Sequence, residues 1–266
     1  MHDPPILFAA FVIGLIFGSF FSMLSWRWPR KLIAEYEGNE VPPILDLKTR
    51  SQCLACHTEL PPTRLIPLFS WLASRGRCHA CGTPISLRYP LIELATALLT
   101  VLAVYQFGMT LQGALAVAFS WLLLLITVID LEHQLILDAL SLPLLWLGLV
   151  ASAFGWWSIS AQEAIFGAAL GYLILWGTYW VFRLVTGKEG MGYGDFKLLA
   201  ALGAWFGPEA IPALILISAL SGLVIQLSLR LIGRGSVRFA FGPYLALAGL
   251  MWLYWGEAIN RQLLMP

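Results

Sequence analysis

Four cysteines and a handful of acids carry most of the chemistry open to this sequence. Cys53-Leu-Ala-Cys56 and Cys78-His-Ala-Cys81 are two pairs of one spacing, with 21 residues between Cys56 and Cys78. Each Cys-x-x-Cys turn offers two thiolates and Zn²⁺ is satisfied by four, so two such turns in one polar segment suit a tetrahedral zinc site. Zinc would be structural there, because a segment of about 60 residues has too thin a core to hold itself together without help. The same residues admit other readings. Cys53–His57 spells the Cys-x-x-Cys-His of haem attachment; two disulfides or a redox relay would use the thiols in an oxidising compartment; four unrelated buried thiols is the plainest alternative. His57 and His79 are either substitute ligands or solvent-facing neighbours.

The acids are Asp130, which ends the apolar run 121–129, and Asp195, which ends Gly190-Met-Gly-Tyr-Gly-Asp195. A carboxylate at membrane depth costs about 2.5–3.5 kcal/mol on insertion scales, which makes each a functional hypothesis. Taken singly, Asp130 reads equally as an interface residue and Asp195 as a helix N-cap. Taken together they suggest more. Two adjacent carboxylates cannot both ionise cheaply, so the pair holds one proton; one member then activates water while the other protonates or hydrogen-bonds a carbonyl. That is aspartic peptide-bond hydrolysis, although a proton relay in a transporter would use the same acids. Gly192 and Gly194 would let an extended substrate approach the backbone without a Cβ in the way. Glu132 and Asp138 read as solvated loop residues or as supporting residues near the site, and Glu93 as an interfacial residue or a supporting one lining the cytoplasmic cavity.

The elements that must position these groups are apolar helices. The chain has 266 residues, 59% hydrophobic and 12% charged, against roughly 25% charged in an average soluble domain. Its mean hydropathy is +0.78. Too few charges remain to cover a water-facing surface, which excludes a soluble enzyme, a disordered chain and a disulfide-rich secreted module. Nucleic acid is not expected among its partners; the lipid bilayer is. Apolar runs at 6–26, 90–107, 113–129, 139–157, 161–182, 211–229 and 239–259, with a shorter one at 198–207, predict an all-α polytopic membrane protein of about eight transmembrane helices. Three parts are expected: a first transmembrane helix over 1–26, a polar four-cysteine domain over 27–89, and a transmembrane domain over 90–266.

Charge placement gives sidedness. Met1–Pro5 has no Lys or Arg, whereas Arg27, Arg30 and Lys31 follow the first run. The positive-inside rule therefore puts the N-terminus outside and 27–89 in the cytoplasm. Alternating through eight spans places 15 of the 16 Lys and Arg on that one face, with only Arg261 opposite. Cytoplasmic thiols disfavour the haem and disulfide readings. The count requires 198–207, only about 15 Å long as a helix, to cross as a short span, continuous or broken, extended at its 192–197 end; an irregular start there would itself suggest a cavity. Gly14-x3-Gly18 and Gly167-x3-Gly171 read as close packing within the chain or as a homodimer seam.

In order and spacing, these features resemble the type IV prepilin peptidases, membrane aspartic proteases of the GxGD type. Gly18-Ser-Phe with Arg27 and Pro29, the knuckle Arg50–Cys56, the stretch Ile66–Leu72, the stretch Arg75–Pro90 running into Glu93, Ile129-Asp130 with Leu137-Asp138, and Gly192-Tyr-Gly-Asp195 each have a counterpart. Ser22, Leu54 and Leu137 depart from the family's usual Asn, Pro and Pro. The resemblance implies Asp130 and Asp195 as the catalytic dyad and the four cysteines as zinc ligands. It also implies a substrate, the leader of type IV prepilins or type II secretion pseudopilins, cut after a Gly at the cytoplasmic face of the bacterial inner membrane. Methylation of the new N-terminal amine with S-adenosylmethionine is implied as a second activity, with no residue assigned to it. The competing functions are a membrane thiol–disulfide oxidoreductase using both Cys-x-x-Cys pairs and a non-catalytic zinc-stapled subunit of a secretion system.

Overall fold

The computed structural model describes residues 3–231 and 240–263, so Arg234 and Arg238, counted above for sidedness, lie outside the described residues. The described residues form helices α1 (Pro4–Tyr36), α2 (Phe69–Ala73), α3 (Arg88–Phe107), α4 (Leu111–His133), α5 (Asp138–Ala153), α6 (Ala161–Thr186), α7 (Tyr193–Phe206), α8 (Ile211–Leu231) and α9 (Gly242–Leu263), with no strand among them. All but α2 coincide with the eight apolar runs. Five segments are long and apolar enough to cross a membrane by themselves: Pro4–Tyr36, Arg88–Phe107, Leu111–His133, Ala161–Thr186 and Pro208–Leu231. The chain divides into two compact units, 1–117 and 118–266, the boundary falling inside α4.

In the first unit α1 lies against α3 at backbone distance. A Cβ on Gly14 would stand 2.5 Å from Ala97 Cα, and one on Gly18 2.6 Å from Glu93 Cα. The first small-residue pair is thus filled from within the chain. Helix α1 also runs well past the expected end at residue 26 and through Pro29. Arg27, 5% exposed, donates to the backbone carbonyls of Asp46 (2.8 Å), Thr49 (2.6 Å) and Arg50 (3.3 Å). The basic residue that marks sidedness therefore also docks the polar segment onto α1.

The second unit is organised around α7, a 14-residue helix buried almost throughout its length. Gly203 of α7 meets Gly167 of α6 so closely that neither tolerates a Cβ, and a Cβ on Gly171 would stand 2.6 Å from Leu199 O. The second small-residue pair is likewise used internally. On the α5 side, Trp205 Nε1 donates to Leu144 O (2.9 Å), while Trp157 Nε1 donates to Trp205 O (2.9 Å). The run extends at its 192–197 end, as expected, and does so as continuous helix: α7 is regular from Tyr193, with Gly192 outside as its N-cap. Gly192 has extended dihedrals (φ −82°, ψ 148°), and the apolar side chains that follow pack on all sides, so the helix has no reason to open.

Candidate active site and metal centre

The two aspartates arrive from opposite ends of their helices. Asp130 lies in the last turn of α4, which stops when Gln134 turns left-handed (φ 53°), its N–H still donating to Asp130 O at 2.9 Å. Asp195 lies in the first turn of α7. It is not the N-cap. It stands three residues inside, where its carboxylate faces the backbone N–H of Gly192. Asp130 faces the backbone N–H of Gly242, the first residue of α9. Each acid is thus held at a helix N-terminus, one at that of its own helix and the other at that of α9, where unpaired N–H groups and the dipole favour negative charge. The two are buried, 4% and 7% exposed, and the charge of Asp130 acts on Asp195.

Ile136, in the connection after α4, is the spacer between these elements. A Cβ on Gly194 would meet Ile136 Cβ at 2.7 Å. One on Gly242 would meet Asp130 Oδ2 at 2.5 Å and Ile136 Cδ1 at 2.9 Å. Gly194 and Gly242 are therefore required by the chain's own packing around the acids. Gly192 differs: a Cβ there would meet only Asp195 Oδ2 (3.7 Å) and Gly194 N (4.0 Å), leaving its other side open.

Of the two candidate supporting acids, Asp138 begins α5 and pairs with Lys197 of α7, two residues after Asp195. Glu93 belongs to the first unit, where its Oε2 accepts from Leu68 N–H at 2.7 Å. Gly242, Ile136 and Lys197 were not singled out in the sequence. The one local signal was Gly242-Pro243 at the head of an apolar run, a helix-start pattern.

The four cysteine sulfurs all lie within 4.8 Å of one another. Across the knuckles, Cys53 Sγ is 3.8 Å from Cys81 Sγ, and Cys56 Sγ is 4.0 Å from Cys78 Sγ. Four thiolates at ~2.3 Å from a tetrahedral zinc stand roughly 3.8 Å apart, so the set fits the ion. Both knuckles have one backbone design: Cys53 N–H donates to Thr58 O (3.0 Å) and Cys78 N–H to Thr83 O (2.9 Å). The Thr58 and Thr83 hydroxyls stand 3.3 and 3.2 Å from Cys56 and Cys81 Sγ. By donating to the thiolates they hold both thiols below the ordinary range. The fifth position of each knuckle is left-handed, His57 at φ 57° and Gly82 at φ 72°. His57 thus completes a turn that the second knuckle makes with glycine.

Comparison with known proteins decides the kinship. Residues 12–107 match the profile described as the bacterial peptidase A24 N-terminal domain, and residues 117–227 match that of the type IV leader peptidase family. The chain is 44% identical to a prepilin leader peptidase/N-methyltransferase of Pseudomonas aeruginosa, over 98% of this chain and 94% of that protein.

The chain belongs to the type IV leader peptidase family.

Similarly named proteins of Aeromonas hydrophila (44% identity; 98% and 95% of the two chains) and Xanthomonas campestris pv. campestris (43%; 94% and 91%) agree. No solved structure matches. The two family profiles meet between residues 107 and 117, close to where the chain divides into its two compact units. The cysteine set falls within the first match and both aspartates within the second.

Proposed function

We propose that this leader peptidase is an aspartic endopeptidase of the bacterial inner membrane. It removes the leader of type IV prepilins or type II secretion pseudopilins at the cytoplasmic face, then methylates the new N-terminal amine. The reading rests on one observation above all: two buried carboxylates from α4 and α7, each held at a helix N-terminus, with the charge of Asp130 acting on Asp195.

The chemistry follows from that pairing. The ionised carboxylate takes a proton from water, and the resulting oxygen attacks the scissile carbonyl while the protonated partner donates to the carbonyl oxygen. The tetrahedral intermediate collapses with cleavage of the C–N bond: the leaving amine takes up the proton that came from water, and the former carbonyl oxygen returns its proton to the carboxylate that supplied it. Gly192, open on the side away from Asp195, accepts the extended substrate backbone, and Gly194 lets the wall close behind the acids. Cys53, Cys56, Cys78 and Cys81 hold zinc as a staple of the polar segment 27–89. S-adenosylmethionine, when bound, supplies an electrophilic methyl group; the amine nitrogen gains it and gives up a proton. The closest sulfur contacts between the two knuckles join one pair to the other, as a metal tetrahedron does and as two independent redox pairs do not.

Cleavage of a synthetic prepilin in detergent, with mass spectrometry of the new N-terminus, tests the reading. The expected product lacks the leader and carries one added methyl group. An intact prepilin after prolonged incubation with folded, zinc-loaded protein would refute the peptidase assignment.

A further inference from the structure

The first unit holds a cavity of about 390 Å³ where α1 and α3 meet the cysteine segment, within the range of roughly 300–1,000 Å³ common for small-molecule sites. Its walls offer three kinds of surface. Trp26, Trp71 and Tyr89 present aromatic rings. Glu93 contributes a carboxylate only 7% exposed. Arg64 and Arg77 are exposed, unlike Glu93.

Glu93 is unusually placed. Its carboxylate accepts from Leu68 N–H at 2.7 Å and from the Ser19 hydroxyl, and among the described residues no cation pairs with it. Arg27, also in the wall, is turned to the carbonyls of Asp46, Thr49 and Arg50 instead. Leu68 reaches Glu93 from a positive φ (62°, with ψ −52°) that a residue with a Cβ rarely adopts. Strain of that kind persists where a site over-determines the backbone. A buried carboxylate without a cation costs free energy, and an incoming onium centre offsets that cost by pairing with the acid against aromatic faces.

A ligand that satisfies all three surfaces carries a flat ring for the aromatic walls, a cationic centre for Glu93 and a carboxylate for the exposed arginines. S-adenosylmethionine has adenine, a sulfonium and an α-carboxylate. We propose that this cavity, with Glu93 facing the sulfonium, is the methyl-donor site. The inference rests on the methylation reading above and adds the location.

Two measurements on the full zinc-loaded chain in detergent test it. Ultraviolet cross-linking of methyl-labelled S-adenosylmethionine to the unaltered protein, followed by peptide mapping, should place label on peptides containing Trp26, Trp71 or Tyr89. Equilibrium binding should show Glu93→Gln weakening S-adenosylmethionine about tenfold, or about 1.4 kcal/mol, and S-adenosylhomocysteine, whose sulfur is uncharged, less than about threefold. Label outside residues 19–93, or equal losses for both ligands, in a protein that cleaves and methylates overturns this site alone. Donor bound here with the cleaved N-terminus left unmethylated supports the site and overturns the methylation reading instead.

Discussion

Lys197 Nζ stands 2.7 Å from both carboxylate oxygens of Asp138. Lys197 lies in the first turns of α7, where the helix dipole disfavours a cation, and Asp138 opens α5, where the dipole favours an anion. The pair therefore ties two helix N-termini together two residues from Asp195. As a partly exposed ion pair it contributes only about 0.2–1 kcal/mol to stability, but it fixes the azimuth of α7 and with it Asp195. Lys197→Met and Asp138→Asn should each lower kcat for leader cleavage about tenfold while thermal stability falls by less than about 1 kcal/mol. Lys197→Arg, which keeps the bidentate contact, should restore most of the rate. Equal losses of rate and stability, with no rescue by arginine, would reduce the pair to ordinary scaffolding.

Asp130→Asn and Asp195→Asn, made singly, should each cut cleavage by about a thousandfold or more with helix content and zinc content unchanged. The amides keep the shape of the carboxylates, so the loss reports chemistry rather than packing. Near-normal turnover by either variant removes the dyad.

Gly242→Ala places a methyl group 2.5 Å from Asp130 Oδ2 and 2.9 Å from Ile136 Cδ1. Overpacking of this kind costs about 1–3 kcal/mol. The carboxylate must move off the α9 N-terminus, so cleavage should fall steeply while bound zinc stays at one equivalent. Gly192→Ala, with open space beside it, should fold normally and lose activity chiefly through KM. A Gly242→Ala protein of full activity would separate α9 from the site.

The double change Cys53→Ser, Cys78→Ser should abolish zinc binding and leave residues 27–89 protease-sensitive, since each knuckle loses a ligand and the segment's core is thin. Removing the ion with a chelator should have the same effect without any substitution. At the left-handed fifth position, His57→Gly should retain zinc, whereas His57→Val should weaken it by about 1–2 kcal/mol. Loss of metal in His57→Gly would make the imidazole a ligand after all.

Much of this was legible in the chain because it depends on short-range chemistry. Eight apolar runs became eight helices, and two identical Cys-x-x-Cys turns brought four sulfurs together. What could not be read depends on who meets whom. Ile136 is one apolar residue among many until Gly194 and Gly242 close on it. Arg27 looked like a marker of sidedness, since the carbonyls it binds come from 19 to 23 residues away. The extension of α7 toward residue 192 was legible from the shortness of the 198–207 run, but whether it would be continuous was not; burial against α5, α6 and α9 made regular backbone the cheaper solution.

A helix of 14 residues rises about 21 Å, some 9 Å less than a hydrocarbon layer of about 30 Å. Buried almost throughout its length, α7 is too short to cross alone and is held instead by α5, α6 and α9 packed around it. Its first turn, with Asp195, therefore stands among packed side chains of the protein itself. An extra turn inserted just after Asp195 would carry that acid about 5.4 Å along the axis away from Asp130 while leaving every side chain discussed above in the sequence.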